Sequence, residues 1–181
     1  MKETLIKEIE LNEGVSAHLD DGMLTVKGPK GEVKRVFVHP RVRIVVSGNK
    51  ISLTSEKATK NEKKILSSFA AHIRNSVKGV KEPHVYKLKI CSGHFPMSVA
   101  VSGNEIVIKN FLGETVPRKA KLPVGASVKI NGTEIEVISA DKEAAGKAAA
   151  VIESLCRITN RDIRIFQDGV YIIHKAGKDI M

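Results

Sequence analysis

Tryptophan is absent from this sequence, and seven Tyr and Phe residues together make only 4% of its 181 positions. The interior must therefore be assembled from Val, Ile and Leu, a composition suited to β-rich layers. Cysteine is almost as scarce. Cys91 and Cys156 stand far apart with no Cys-x-x-Cys pair, which excludes a disulfide framework and a zinc knuckle and points to a reducing cytoplasm. No apolar run approaches the roughly 20 residues of a membrane span. The start, Met1-Lys2-Glu3-Thr4-Leu5-Ile6-Lys7-Glu8, mixes charges where a signal peptide needs an apolar stretch, so the expectation is a protein neither exported nor embedded. Acidic residues are also short in supply: 20 Asp and Glu against 30 Lys and Arg give a net charge of +10 and a pI near 9.6. The excess is spread along the chain, with 15 basic and 9 acidic residues up to Lys78 and 15 and 11 beyond. A polyanion, nucleic acid above all, is the natural partner.

What is present is a repeat. Leu24-Thr25-Val26-Lys27 runs into Gly28-Pro29-Lys30-Gly31-Glu32, and Ile106-Val107-Ile108-Lys109 runs into Asn110-Phe111-Leu112-Gly113-Glu114. Farther on, the stretch Ile44 to Ile51 answers Val128 to Ile135. Offsets of 82 residues at Gly31/Gly113 and 84 at Gly48/Gly132 mark a duplication carrying two inserted residues. Each copy shows period-2 alternation broken by turn residues. In the first, strands are expected near Val15 to Leu19, Met23 to Lys27, Val33 to Val38, Val42 to Val46 and Lys50 to Thr54. Each copy then turns helical. Thr59 and Glu62 make a capping box ahead of the stripe Ile65, Phe69, Ile73 and Val77. Asp141 caps a second, Ala-rich helix with Ala144, Ala148, Val151 or Ile152, Leu155 and Ile158 on its apolar face. The fold class is α+β: two similar tandem domains, each a small, mainly antiparallel sheet packed with one helix. The domains are residues 1–80 and 84–181, joined by a linker at 81–83 that contains Pro83. The second copy adds a C-terminal hairpin, with Ile163 to Phe166 and Val170 to His174 as its strands and Gln167-Asp168-Gly169 as its turn. That departure makes the second domain the expected main binding surface.

Chemistry that would mark an enzyme is thin. Cys91 and His94 are close in sequence, a motif for a hydrolase or transferase, but no third group accompanies them. The six histidines lie too far from one another for helical ligand pairs, so neither a metal nor a cofactor is expected. Gly28-Pro29-Lys30-Gly31 lacks the Gly-Lys-Ser/Thr ending of a phosphate-binding loop. Its amides and Lys27, Lys30, Lys34 and Arg35 form either an RNA-contacting turn or a solvated edge. In the second copy Arg157, Arg161, Arg164, Lys175 and Lys178 concentrate near the helix end and final hairpin. They suit phosphates, or else complement the helix C-terminus and nearby aspartates. Lys109, Arg118, Lys119 and Lys121 bracket a loop whose Asn110 and Phe111 could meet RNA or simply pack. A third reading is a protein-interaction module that uses exposed sheet edges.

The stretch Arg161-x-x-Arg164-x-Phe166-x-Asp168-Gly169-Val170-Tyr171-Ile172-x-x-Lys175 resembles the C-terminal signature of the large ribosomal subunit protein six family, in its archaeal and eukaryotic branch. The two hairpin turns, Lys27 to Glu32 and Lys109 to Glu114, are similar to that family's repeated turns. One departure is Ser154, where the family pattern begins with Gln. The resemblance implies a non-enzymatic constituent of the large subunit that binds its ribosomal RNA through the second domain. It also implies a place near the stalk base and factor-binding centre, with ribosomal proteins of the stalk base, and translation factors, nearby. Lys109, Asn110, Arg161, Arg164, Tyr171 and Lys175 become contact or contact-supporting residues by that resemblance, while Phe166 and Tyr171 equally fit as packing residues of the last hairpin.

Overall fold

Alternation of apolar and polar residues builds two short sheets in the first half of the chain. In a computed structural model that describes residues 3–93 and 95–180, these sheets comprise β1 (Glu3–Glu10), β2 (Ser16–Asp20), β3 (Met23–Gly28), β4 (Gly31–Val36), β5 (Arg43–Ser47) and β6 (Lys50–Ala58). β2, β3 and β4 form one antiparallel meander, and β1, β6 and β5 form the other sheet. Leu24 and Val26 on β3 and Ile51 and Leu53 on β6 turn inward and are almost wholly buried, as period-2 side chains on half-buried strands must be. Helix α1 (Lys60–Lys81) covers them with Leu66, Ala70, Ile73 and Val80. Each buried Leu or Ile is worth roughly 1.5–3 kcal/mol relative to exposure.

The apolar row of α1 is rotated from its expected phase. Ile65 and Phe69 are half-buried, and Leu66 and Ala70 take the interior. Phe69 meets Phe37 edge to face, with ring centroids 5.0 Å apart. The turn Pro29-Lys30 lodges against the end of the same helix: the Lys30 amide donates to the Val80 carbonyl at 3.0 Å. Any Cβ on Gly28 would fall 2.8 Å from that same carbonyl oxygen, which is why glycine is required there.

The chain divides at Pro83/His84 into two compact units. The second contains β7 (His84–Cys91), β8 (Ser98–Ser102), β9 (Glu105–Lys109), a 3₁₀ turn at Phe111–Gly113, β10 (Arg118–Lys121), β11 (Ser127–Asn131), β12 (Glu134–Ser139), helix α2 (Lys142–Leu155), β13 (Gly169–Lys175) and β14 (Lys178–Asp179). Strands β8 to β10 repeat the meander, and β7 pairs β12 as β1 pairs β6: Leu88 faces Ile135 where Ile9 faces Ile51. The fold is therefore α+β with two similar tandem units. The α2 face differs slightly from expectation, since Ala145, Ala148, Ala149, Ile152 and Cys156 are buried whereas Ala144 is not.

Two expectations are corrected. Ile163 to Phe166 is not a strand; the Ile165 and Phe166 amides both donate to the Asp162 carbonyl, at 3.1 and 3.0 Å, in a turn. The expected hairpin would pair it with β13, but β13 pairs with β7 on one edge and with β14 on the other, so the C-terminal hairpin is β13 with β14, closed by Ala176 and Gly177 in left-handed conformations. β1 is a further strand, ahead of the first one expected at Val15 to Leu19. No helix among the described residues is long and apolar enough to cross a membrane.

Candidate nucleic-acid interface

Three groups of basic residues project from the second unit, and the fold separates what the sequence had run together. The first lies on the segment that follows α2. Arg157, Arg161 and Arg164 are exposed there, alternating with Ile163 and Ile165, which are 70% and 75% exposed. The guanidinium of Arg164 grips Asp162 through both carboxylate oxygens, the shortest contact being 2.7 Å. That of Arg161 sits 5.0 Å from the Phe166 ring centroid. Neither Arg157 nor Arg161 has a carboxylate partner among the described residues. The segment is anchored at its far end by buried Asp168, whose Oδ1 accepts from the Gly93 amide. Ile163 and Ile165 were missed as surface residues because their alternation reads as a strand.

Arg118 anchors the near end and is half-buried. Its Nε donates to Glu114 Oε2 at 2.8 Å and its Nη2 to Oε1 at 2.6 Å. Its Nη1 reaches the Leu155 carbonyl at 2.8 Å and the Arg157 carbonyl at 3.3 Å. The guanidinium also lies 4.3 Å from the centroid of Phe111. This one side chain thereby satisfies orphan carbonyls at the end of α2 and holds the Arg157 backbone. The Arg118 hydrogen bond, aided by the charge of Arg161, keeps the Glu114 carboxyl below its ordinary range. Phe111 is 1% exposed, so it is a core residue and cannot stack on a base. Asn110 takes a left-handed conformation, and its Nδ2 donates to the Pro96 carbonyl at 3.1 Å; it shapes the turn.

The second group is Lys109, Lys119 and Lys121, all exposed. Ile106 and Ile108 face the core, and the pairing of Lys119 with Val107 and of Lys121 with Glu105 puts these lysines on the opposite, outer face of the β8–β9–β10 sheet. The third group is Lys175 with Lys178, directly paired across the β13–β14 hairpin. The seven residues of β13 place the pair roughly 20 Å from that strand's start at Gly169. Of the expected constellation, Arg157, Arg161 and Arg164 lie on the segment between α2 and β13, and Lys175 and Lys178 lie on the β13–β14 hairpin. Tyr171 lies between as a packing residue: its ring covers Gly169, where a Cβ would meet it at 3.1 Å, and its hydroxyl donates to the Gln167 carbonyl at 3.3 Å.

In the first unit Lys30 is exposed at its turn, but its amide is already bound to Val80. Lys34 and Lys27 share Glu32 at 3.1 and 3.6 Å, and Arg35 Nη1 lies 2.6 Å from His72 Nδ1. Glu32 thus offsets part of the charge of Lys27 and Lys34, and the Lys30 side chain stays exposed. Of the possible dyad, Cys91 is half-buried beside an open hollow of about 600 Å³ shared with Lys89, Gln167 and Tyr171; His94 lies outside the described residues. Burial pushes the other thiol, Cys156, up to about 11, so it stays protonated and inert. No group of three potential metal ligands occurs among the described residues.

Comparison with known proteins agrees with this layout. Residues 12–83 and 95–169 match the family described as Ribosomal protein L6, one segment in each unit. The chain is 42% identical over 190 residues to the large ribosomal subunit protein uL6 of Nanoarchaeum equitans, covering 100% of this chain and 99% of that one. It is 43% identical over 176 residues to the uL6 of Methanosarcina mazei, covering 97% of this chain and 100% of the relative. For the uL6 of Methanococcus vannielii the identity is 41% over 172 residues, covering 95% and 94%. On the family match and on these full-length relatives, the chain belongs to the ribosomal protein L6 family.

Proposed function

We propose that this protein is a structural, non-enzymatic constituent of the large ribosomal subunit in the cytoplasm, and that it docks on ribosomal RNA mainly through its second unit. The observation that carries the reading is the arginine segment 157–164: Arg157 and Arg161 are exposed and make no ion pair with a carboxylate among the described residues, on a loop anchored at one end by Arg118 and at the other by Asp168. Pre-organised guanidinium groups are suited to phosphate oxygens. Lys109, Lys119 and Lys121 extend the surface, and Ile163 and Ile165 give it an apolar component for a shaped RNA fold. Lys175 and Lys178 supply a separate contact, since two lysines opposed across a hairpin repel each other until an anion lies between them. A location near the stalk base and factor-binding centre, beside the ribosomal proteins of the stalk base, rests on the resemblance of the C-terminal signature.

Sedimentation of a gentle lysate tests this. Co-migration with the large subunit, abolished by nuclease, is expected. Protein that runs free and ignores nuclease would return the interaction-module and enzyme readings.

A further inference from the structure

The exposed charged residues of α1 are all basic. Lys60, Lys63, Lys64, Arg74, Lys78 and Lys81 are all exposed, and at 100° per residue they fall within an arc of about 100°, turned by roughly 120° from the buried row of Leu66, Ile73 and Val80. None of the six pairs with a described carboxylate: the one acidic residue within the helix, Glu62, is buried and engages Arg41 at 3.2 Å. The row spans roughly 32 Å at 1.5 Å per residue. Small residues, Ser67 and Ala71, occupy its middle and separate two clusters of three charges.

Stability does not explain this row. Lys78 and Lys81 complement the C-terminal end of the helix dipole, but Lys60, Lys63 and Lys64 stand at the N-terminal end, where cations are unfavourable. Lys60 with Lys64 and Arg74 with Lys78 are like charges at i,i+4, and Lys78 with Lys81 are like charges at i,i+3, arrangements that oppose helix formation. The duplication supplies an internal control: α2 has the same place in its unit but mixes Lys142 and Lys147 with Glu143 and Glu153. The charge row is a property of the first copy, not of the scaffold.

We infer that α1 is a second RNA-binding surface, lying along backbone phosphates of a double-helical RNA segment independently of the arginine loop in the second unit. A double helix fits better than single-stranded RNA, because no aromatic side chain is exposed on this face for bases to stack on. The helix's one aromatic, Phe69, packs against Phe37. The lysines offer point charges without base discrimination, so binding through α1 is sequence-indifferent and strongly salt-dependent.

The test uses the full-length protein, a 20-base-pair RNA duplex as probe, and two triple variants of α1, Lys60→Ala/Lys63→Ala/Lys64→Ala and Arg74→Ala/Lys78→Ala/Lys81→Ala. Each should lower the slope of log affinity against log salt by up to about three units. The first should not melt below the parent, because it removes like-charge repulsion and cations from the N-terminal end of the dipole; in the second, loss of the favourable Lys78 and Lys81 dipole interaction opposes the repulsion removed, and its folding is checked by circular dichroism. A third variant, Arg157→Ala/Arg161→Ala/Arg164→Ala, should retain the α1 share of the slope. Unchanged slopes in both α1 variants overturn the inference and leave the proposed function standing. Loss confined to the α1 variants supports α1 and removes the second unit as the main surface. Phosphatidylserine vesicles and polyglutamate serve as competing polyanions. If either responds to the α1 substitutions while the duplex does not, the surface belongs to a membrane or to an acidic protein, and the RNA assignment fails.

Discussion

Arg118 and Arg164 look alike in the sequence, each a basic residue a few positions after an acid, and the fold gives them opposite work. Arg118 is half-buried, with four hydrogen bonds to Glu114, Leu155 and Arg157 and a ring beneath it. Arg164 is 86% exposed and holds only Asp162. Removing Arg118 leaves the part-buried Leu155 carbonyl unpaired and strips the guanidinium from Phe111, whereas a surface pair contributes little. Arg118→Ala is expected to lower the unfolding free energy by roughly 2–4 kcal/mol, and Arg164→Ala to stay within about 0.5 kcal/mol, as read from urea titrations. Equal effects would show that the loop anchor drawn around Arg118 does not exist in solution. Spacing alone could not separate the two arginines, because what distinguishes them is the arrival of the α2 carboxyl end, 37 residues away in the chain.

Helix α1 shows what is and is not legible at the scale of an element. Its start was readable: Thr59 donates to the Glu62 carboxylate from both its amide and its hydroxyl, closing the capping box that the spacing predicts. Its phase was not readable. Both Ile65/Phe69 and Leu66/Ala70 fit an i,i+4 row, and the row that is buried begins with Glu62, a residue that an apolar template passes over. The hydrogen bonds from Thr59, with the nearby charge of Arg41, hold the Glu62 carboxyl down to about 2. A carboxyl depressed in the folded state stabilises above its ordinary value near 4.5 and loses that contribution as pH falls toward about 2. The parent's urea midpoint should therefore drop over that window, and Glu62→Gln should begin lower and drop less. A parallel fall in both proteins would place the acid sensitivity elsewhere. The misread strand at Ile163 to Phe166 has a related cause: period-2 alternation records only which side chains could share a face, while a strand also needs a partner edge, and β13 pairs with β7 on one side and β14 on the other.

At the scale of the molecule, the duplication was visible because turn residues and charge spacing survive in both copies, and it is why five strands of the first unit could be placed from sequence. Pairings between distant segments, and the parts found in one copy alone, were harder to see. β1 pairs with β6 across some forty residues of chain, and neither β13 nor the α1 charge row has a counterpart in the other copy. A helical projection of Lys60 to Lys81 would have found the row; reading for chemistry around turns and arginines did not. The proposed surfaces together carry Arg157, Arg161, Lys109, Lys119 and Lys121 in the second unit and six residues on α1, within a chain of net charge +10. If six to ten of these reach phosphates in the docked state, affinity for large-subunit ribosomal RNA should fall about 10³- to 10⁵-fold between 50 and 200 mM salt. Filter binding across that range measures it directly. A fall of less than about tenfold would mean that only one or two phosphates are touched. The basic surfaces would then serve solubility, and the apolar pair Ile163 and Ile165 would have to carry the docking, a role that Ile163→Asn with Ile165→Asn would expose as lost affinity at unchanged salt slope.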